Sequence, residues 1–101
     1  MPESPGLSAI ELFEQMRIGT IKAVWIACTN PAQSLPDQAR VREALNVCPF
    51  VVLQEAFRTT ETARFADLLL PAASWGEKEG TVTNSERRIS HVRKAVAAPG
   101  Q

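Results

Sequence analysis

Cysteine is scarce: Cys28 and Cys48 are the only two, and they form no CxxC pair. A four-cysteine zinc or iron–sulfur site cannot be built from them. Free thiols in a reducing, cytoplasmic compartment are the ordinary reading. Long apolar runs are missing too. The longest, around Val24 and Leu68, are strand-length, whereas a membrane-spanning helix needs about 20 residues. The start, MPESPGLSAIELF, has no basic segment leading into a long apolar one, so no signal peptide is expected. An excess of one charge is also missing. Eleven basic residues balance eleven acidic ones, which argues against broad electrostatic binding to nucleic acid. Histidine occurs once, as His91, far in sequence from either cysteine. A Cys–His catalytic pair then needs the fold to join them, and a solvated strand residue is the plainer role. No GxGxxG, GxxxxGK[ST] or GxSxG occurs, so the standard phosphate loops and the nucleophile elbow are absent.

What is present suits one small globular domain. The chain has 101 residues, 45% apolar and 22% charged. A wholly disordered chain is excluded by that composition. Residues 1–6 read as a frayed lead. Ser8-x-x-Glu11 then forms a capping box, with Leu7 and Leu12 as a hydrophobic staple. Ala9, Leu12, Phe13 and Met16 share one face of a helix over about 8–18, and Gly19 suits its C-terminal cap. The apolar run 21–27 predicts a strand covered on both faces. Residues 28–36 read as a loop. Ser34 or Asp37 caps a helix over 37–47, with Pro36 in its first turn and Pro49 ending it. Residues 50–54 and 67–71 predict two further strands, with a short helix capped by Thr59, Thr60 and Glu61 between them. The alternation implies an α/β fold: a three-layer, Rossmann-like unit with a parallel sheet and right-handed crossovers. Beyond Gly80 the pattern loosens into an irregular C-terminal hairpin turning at Asn84-Ser85.

In an open parallel sheet, ligands lie beyond the carboxyl ends of the strands. Asn30, after the first strand, offers a donor and an acceptor. Glu55, after the second strand with Gln54 beside it, suits a pair of ribose hydroxyls or the N1–H and amino group of a guanine. Lys78 supplies a point charge for a phosphate. Each residue alone is ordinary loop polarity. Together they make a candidate nucleotide edge.

Two stretches carry a more specific signal: TNPAQSLPD and VVLQEAFRTTETARFADLLLPAASWGEKEGTVTNSERRI. Their anchors TET, AD, LPA, W, EK, GT, TN and ERR resemble the molybdopterin oxidoreductase family over essentially the whole chain. Within it they are most similar to catalytic subunits of bacterial nitrate reductases, the assimilatory type above all. The periplasmic type and formate dehydrogenases are also similar. The resemblance implies that residues 1–101 are a single partial domain, a segment of the α/β domain that holds molybdopterin guanine dinucleotide. It implies that Asn30, Gln54, Glu55 and Lys78 contact the guanosine diphosphate end of that cofactor. Many relatives carry Asp where Glu55 stands. The longer side chain keeps the charge and alters the reach.

The resemblance further implies a cytoplasmic parent enzyme that reduces nitrate to nitrite. That parent carries a molybdenum-bound pair of the dinucleotides and a 4Fe-4S cluster held outside this segment. Its partners would be the remainder of the catalytic subunit and an electron-donor protein or subunit, with no nucleic acid and no membrane. No catalytic or metal-ligating residue is expected here, so the isolated segment is expected to be inactive. The competing readings are a formate dehydrogenase segment, a free-standing phosphocarrier with Cys28 as nucleophile, and a domain with only an interaction role. The loop TNPAQSLP lacks the glycines and spaced hydroxyls of a good phosphate cradle, which weighs against the phosphocarrier.

Overall fold

A computed structural model describes residues 5–100. The first four residues of the expected lead lie outside that range. The chain forms two compact units, residues 1–70 and 71–101.

In the first unit, α1 (Ala9–Arg17) starts at Ser8, whose hydroxyl accepts from the Glu11 N–H while the Glu11 carboxylate accepts from the Ser8 N–H. Phe13 and Met16 turn inward, and Gly19 follows with φ +80, the left-handed cap that glycine adopts without strain. Leu7 of the expected staple stays exposed. Strand β1 (Ala23–Ala27) leads to a one-turn helix, α2 (Pro31–Ser34), inside the stretch predicted as loop. Pro31 starts it, where a locked φ and a missing N–H cost nothing. Helix α3 (Gln38–Val47) is capped by Asp37, so Pro36 precedes the helix instead of lying in its first turn. Val41, Ala44 and Leu45 are its buried face, and Val47 is exposed. Strand β2 (Phe50–Glu55), a 3-10 turn (Thr62–Phe65) and β3 (Leu68–Pro71) complete the unit.

The sheet order is β1-β2-β3, in parallel. Val24 pairs with Val51 and Ile26 with Leu53, and these four side chains face one core with Phe13, Met16, Ala44 and Leu45. Helices α1 and α3 pack together over it, linked at the surface by Arg17, which grips Glu14 at 2.6 Å and reaches Glu43 at 3.7 Å. Asp67 locks the entry to β3: its carboxylate accepts from the Val51 N–H at 2.7 Å and its N–H donates to the Val51 carbonyl at 2.9 Å.

The α/β class, the parallel sheet and the hairpin are as the alternation predicts. The burial of β1 is not. Trp25 is 66% exposed, and Ala23, Ala27 and Phe50 on the same face are also exposed. Tertiary placement decides this: with sheet order β1-β2-β3, successive right-handed crossovers fall on the same side. No second helical layer occurs among the described residues.

The second unit contains β4 (Gly80–Thr83) and β5 (Ile89–Val92), paired antiparallel. Its turn runs through Asn84, whose side chain accepts from the Arg88 N–H, and Arg87 takes a left-handed φ of 60. His91 is exposed, 3.7 Å from Glu79, as its plainer role predicts.

Two outcomes follow. Leu53 is fully buried, so Leu53→Ala should lower the unfolding free energy by about 2–5 kcal/mol, whereas exposed Phe57→Ala should stay within about 0.5 kcal/mol, both read by denaturant titration. The Ser8 hydroxyl, then the Ser8 N–H, hold the Glu11 carboxyl below its usual pKa. Stability from this box is therefore complete above the ordinary carboxylate value and is lost as pH falls through the lowered one. Ser8→Ala should flatten that acid-side slope of melting temperature.

Candidate functional site

Strand β1 ends at Ala27, paired with Gln54 one residue before the end of β2. Asn30, Gln54 and Glu55 therefore lie at one carboxyl edge. Cys28 makes the exit from β1 in the left-handed region, φ 59, an uncommon conformation for a residue with a Cβ. The chain then turns over the edge into Asn30-Pro31.

That turn is held from three directions. Thr62, 0% exposed, reaches it from the segment between β2 and β3. Its hydroxyl donates to Asn30 Oδ1 at 2.6 Å and accepts from the Ala32 N–H at 3.1 Å. Its backbone N–H donates to the same Asn30 oxygen at 3.1 Å. Gln38 Nε2 donates to the carbonyls of Pro31 and Leu35. Arg42 donates to the Ala32 carbonyl at 3.1 Å and lies 3.5 Å from the Glu61 carboxylate. Arg42 carries no sequence signal for this contact, and Thr62 stands out only as the last residue of the TET anchor, with nothing local to show that its hydroxyl meets Asn30.

The candidate residues differ in what they have left to offer. Asn30 does not present both a donor and an acceptor. Two donors already fill its oxygen, and its Nδ2 donates to exposed Gln33 at 2.9 Å with a second hydrogen to spare. Gln54 is half-buried, with no side-chain hydrogen bond among the described residues. Glu55 Oε1 accepts from the Ala56 N–H at 2.8 Å, which leaves Oε2 for a ligand. Lys78 belongs to the second unit, in a turn where Glu77 accepts from the Ser74 N–H. Its ammonium sits 3.9 Å from the centre of the Trp75 ring.

Cys28 is exposed and Cys48 buried, both as free thiols. No group of three metal-capable side chains occurs among the described residues. No helix there is long and apolar enough to cross a membrane. A groove of about 290 Å³ lies between α1 and the Leu35–Val41 stretch, and another of about 240 Å³ borders β1 and reaches Thr29 and Pro31. Neither is lined by Gln54 or Glu55, so the strand-end geometry, not cavity size, marks the candidate edge.

The family model for molybdopterin oxidoreductases matches residues 1–101. The chain belongs to the molybdopterin oxidoreductase family. It is 50% identical over its full length to a nitrate reductase of Klebsiella oxytoca, of which it spans 12%. It is 41% identical over 95% of its length to the assimilatory nitrate reductase catalytic subunit of Bacillus subtilis, spanning 13% of that protein. It is 46% identical over 95% of its length to the F420-dependent formate dehydrogenase subunit alpha of Methanocaldococcus jannaschii, spanning 14% of it. The chain thus covers a small segment of these relatives. Membership leaves the free-standing phosphocarrier reading of Cys28 without a basis.

Both clamps on the turn should register in stability. Thr62→Val strands the Ala32 N–H in a buried site and should cost about 1–3 kcal/mol. Arg42→Ala removes a pair that is 40% and 34% exposed, worth about 1 kcal/mol or less, together with the donor on the Ala32 carbonyl, and should cost about 1–2 kcal/mol, by the same denaturant titration.

Proposed function

We propose that this chain is part of a nitrate reductase catalytic subunit, where it helps hold the guanosine end of a molybdopterin guanine dinucleotide. The observation that carries the reading is the gathering of Asn30, Gln54 and Glu55 at the carboxyl ends of β1 and β2, in a chain of this family. Nitrate is preferred over formate as the parent's substrate because the more identical of the relatives described is a nitrate reductase. A single partial domain over residues 1–101, a cytoplasmic location, a 4Fe-4S cluster elsewhere in the parent and an electron-donor partner belong to the same proposal.

The residues fit such a cofactor in kind. The Asn30 amide offers N–H, the Gln54 amide is unengaged among the described residues, and Glu55 Oε2 can accept from guanine or ribose donors. Lys78 would meet a phosphate with its charge, its side chain steadied by the Trp75 ring. When bound, the molybdenum-bearing cofactor supplies the oxygen-transfer chemistry. This chain's part is to bind and orient. No catalytic or metal-ligating role is assigned to its side chains, and the chain alone is inactive in this reading.

The test is cofactor content per full-length subunit. Glu55→Gln keeps the size but loses the charge and one acceptor. It should lower content about tenfold or more, since a charged acceptor is worth roughly 1.5–3 kcal/mol. Lys78→Ala should act more mildly, because an exposed ammonium is screened by salt. Wild-type content in Glu55→Gln removes the role of that residue. Wild-type content in both variants removes the site. In parallel, the purified chain should show no nitrate reduction with a chemical electron donor; turnover would refute its supporting role.

A further inference from the structure

The orientation of the Asn30 amide follows from its neighbours. A backbone N–H can only donate, and the Thr62 N–H points at the Asn30 side chain from 3.1 Å. The atom facing it must therefore be the oxygen. The Thr62 hydroxyl accepts from the Ala32 N–H and, because an amide oxygen can only accept, donates its one proton to that same oxygen at 2.6 Å. Both lone pairs of the amide oxygen are thus consumed. Turning the amide over would set an NH2 group against the Thr62 N–H, which cannot accept, and leave that donor unpaired at a residue that is 0% exposed, a costly arrangement. What remains outward is Nδ2, with one hydrogen on exposed Gln33 and one available.

We propose that Thr62 is a positioning residue that locks the Asn30 amide with its oxygen inward, so that Asn30 meets the nucleotide only as a donor to an acceptor oxygen. The inference rests on the cofactor-binding reading above and deepens it. It excludes Asn30 as the partner of a base amino group or a ribose hydroxyl proton. Those donors fall to Glu55 and Gln54. Asn30 is left for a phosphate oxygen or a base carbonyl.

The test uses the full-length enzyme and measures guanine nucleotide released by acid hydrolysis per folded subunit, alongside melting temperature. Thr62→Ser keeps the hydroxyl and should keep nucleotide content. Thr62→Val keeps the backbone N–H but removes the hydroxyl that fills the second lone pair of the Asn30 oxygen and anchors Ala32, and should lower it several-fold on the folded fraction. Asn30→Asp preserves an oxygen for both Thr62 donors, and exposed Gln33 can turn its own amide to meet the other oxygen. Its melting temperature should hold while content falls about tenfold, because the outward donor is gone. A greater loss in Asn30→Asp than in Asn30→Ala, shrinking as salt is raised, identifies a phosphate; equal losses identify a carbonyl. Wild-type content in Thr62→Val overturns the positioning role of the hydroxyl. Wild-type content in Asn30→Asp overturns the donor role, and Glu55→Gln then separates the two failures. If Glu55→Gln has lost nucleotide, the cofactor site stands without this inference. If it has not, the site reading itself fails.

Discussion

The hydroxyl of Thr62 is the joint on which the strand-end edge depends. It is fully buried and uses one donor and one acceptor, on Asn30 and Ala32. Through these bonds the segment between β2 and β3 fixes the exit of β1, although 30 residues separate Thr62 from Ala32. A buried hydroxyl left unsatisfied is costly, so the turn and the 3-10 segment must form together or not at all. Arg42 and Gln38 add α3 to the same joint, Arg42 through the Ala32 carbonyl and Gln38 through those of Leu35 and Pro31, the last of which also accepts from the Leu35 N–H. A surface turn becomes a fixed feature of the fold.

The second constraint is the direction of the crossovers. Because β1, β2 and β3 lie side by side in chain order, the crossovers fall on one face, the face that α1 also covers, and together they shield Val24, Ile26, Val51 and Leu53. The other face keeps Trp25 and Phe50 exposed. Apolar surface left open in this way suits burial against other chain segments. This accords with the proposal that the chain works inside a larger subunit, as does its small share of the relatives' length. The edge and the bare face belong to the same three strands. A ligand at the strand ends and protein against the open face would therefore be borne by one rigid sheet.

Much of this was legible residue by residue. The capping box at Ser8, the glycine after α1, the proline after α3 and the alternation of apolar runs with helices fixed the elements, because each signal acts over a few neighbours. The anchors from TET to ERR carried the family, since so dense a set of spaced residues is specific without any knowledge of contacts. The carboxyl-edge placement of Asn30, Gln54 and Glu55 followed from parallel topology alone.

Other features were decided only by tertiary structure. An apolar strand reads the same whether one or both faces are covered; the layer on the second side depends on where other chain segments go. The helix turn at Pro31–Ser34 was hidden because its carbonyls are met by Gln38 and Arg42, whose reach no local pattern encodes. Asparagine in sequence is a donor and an acceptor. Only the approach of Thr62, from the far side of β2, consumes the acceptor and leaves the donor. Local sequence could specify caps, turns and the succession of helices and strands because those are short-range choices. The hydrogen-bonding polarity of Asn30 was set by a long-range contact and became visible only when the chain closed on itself.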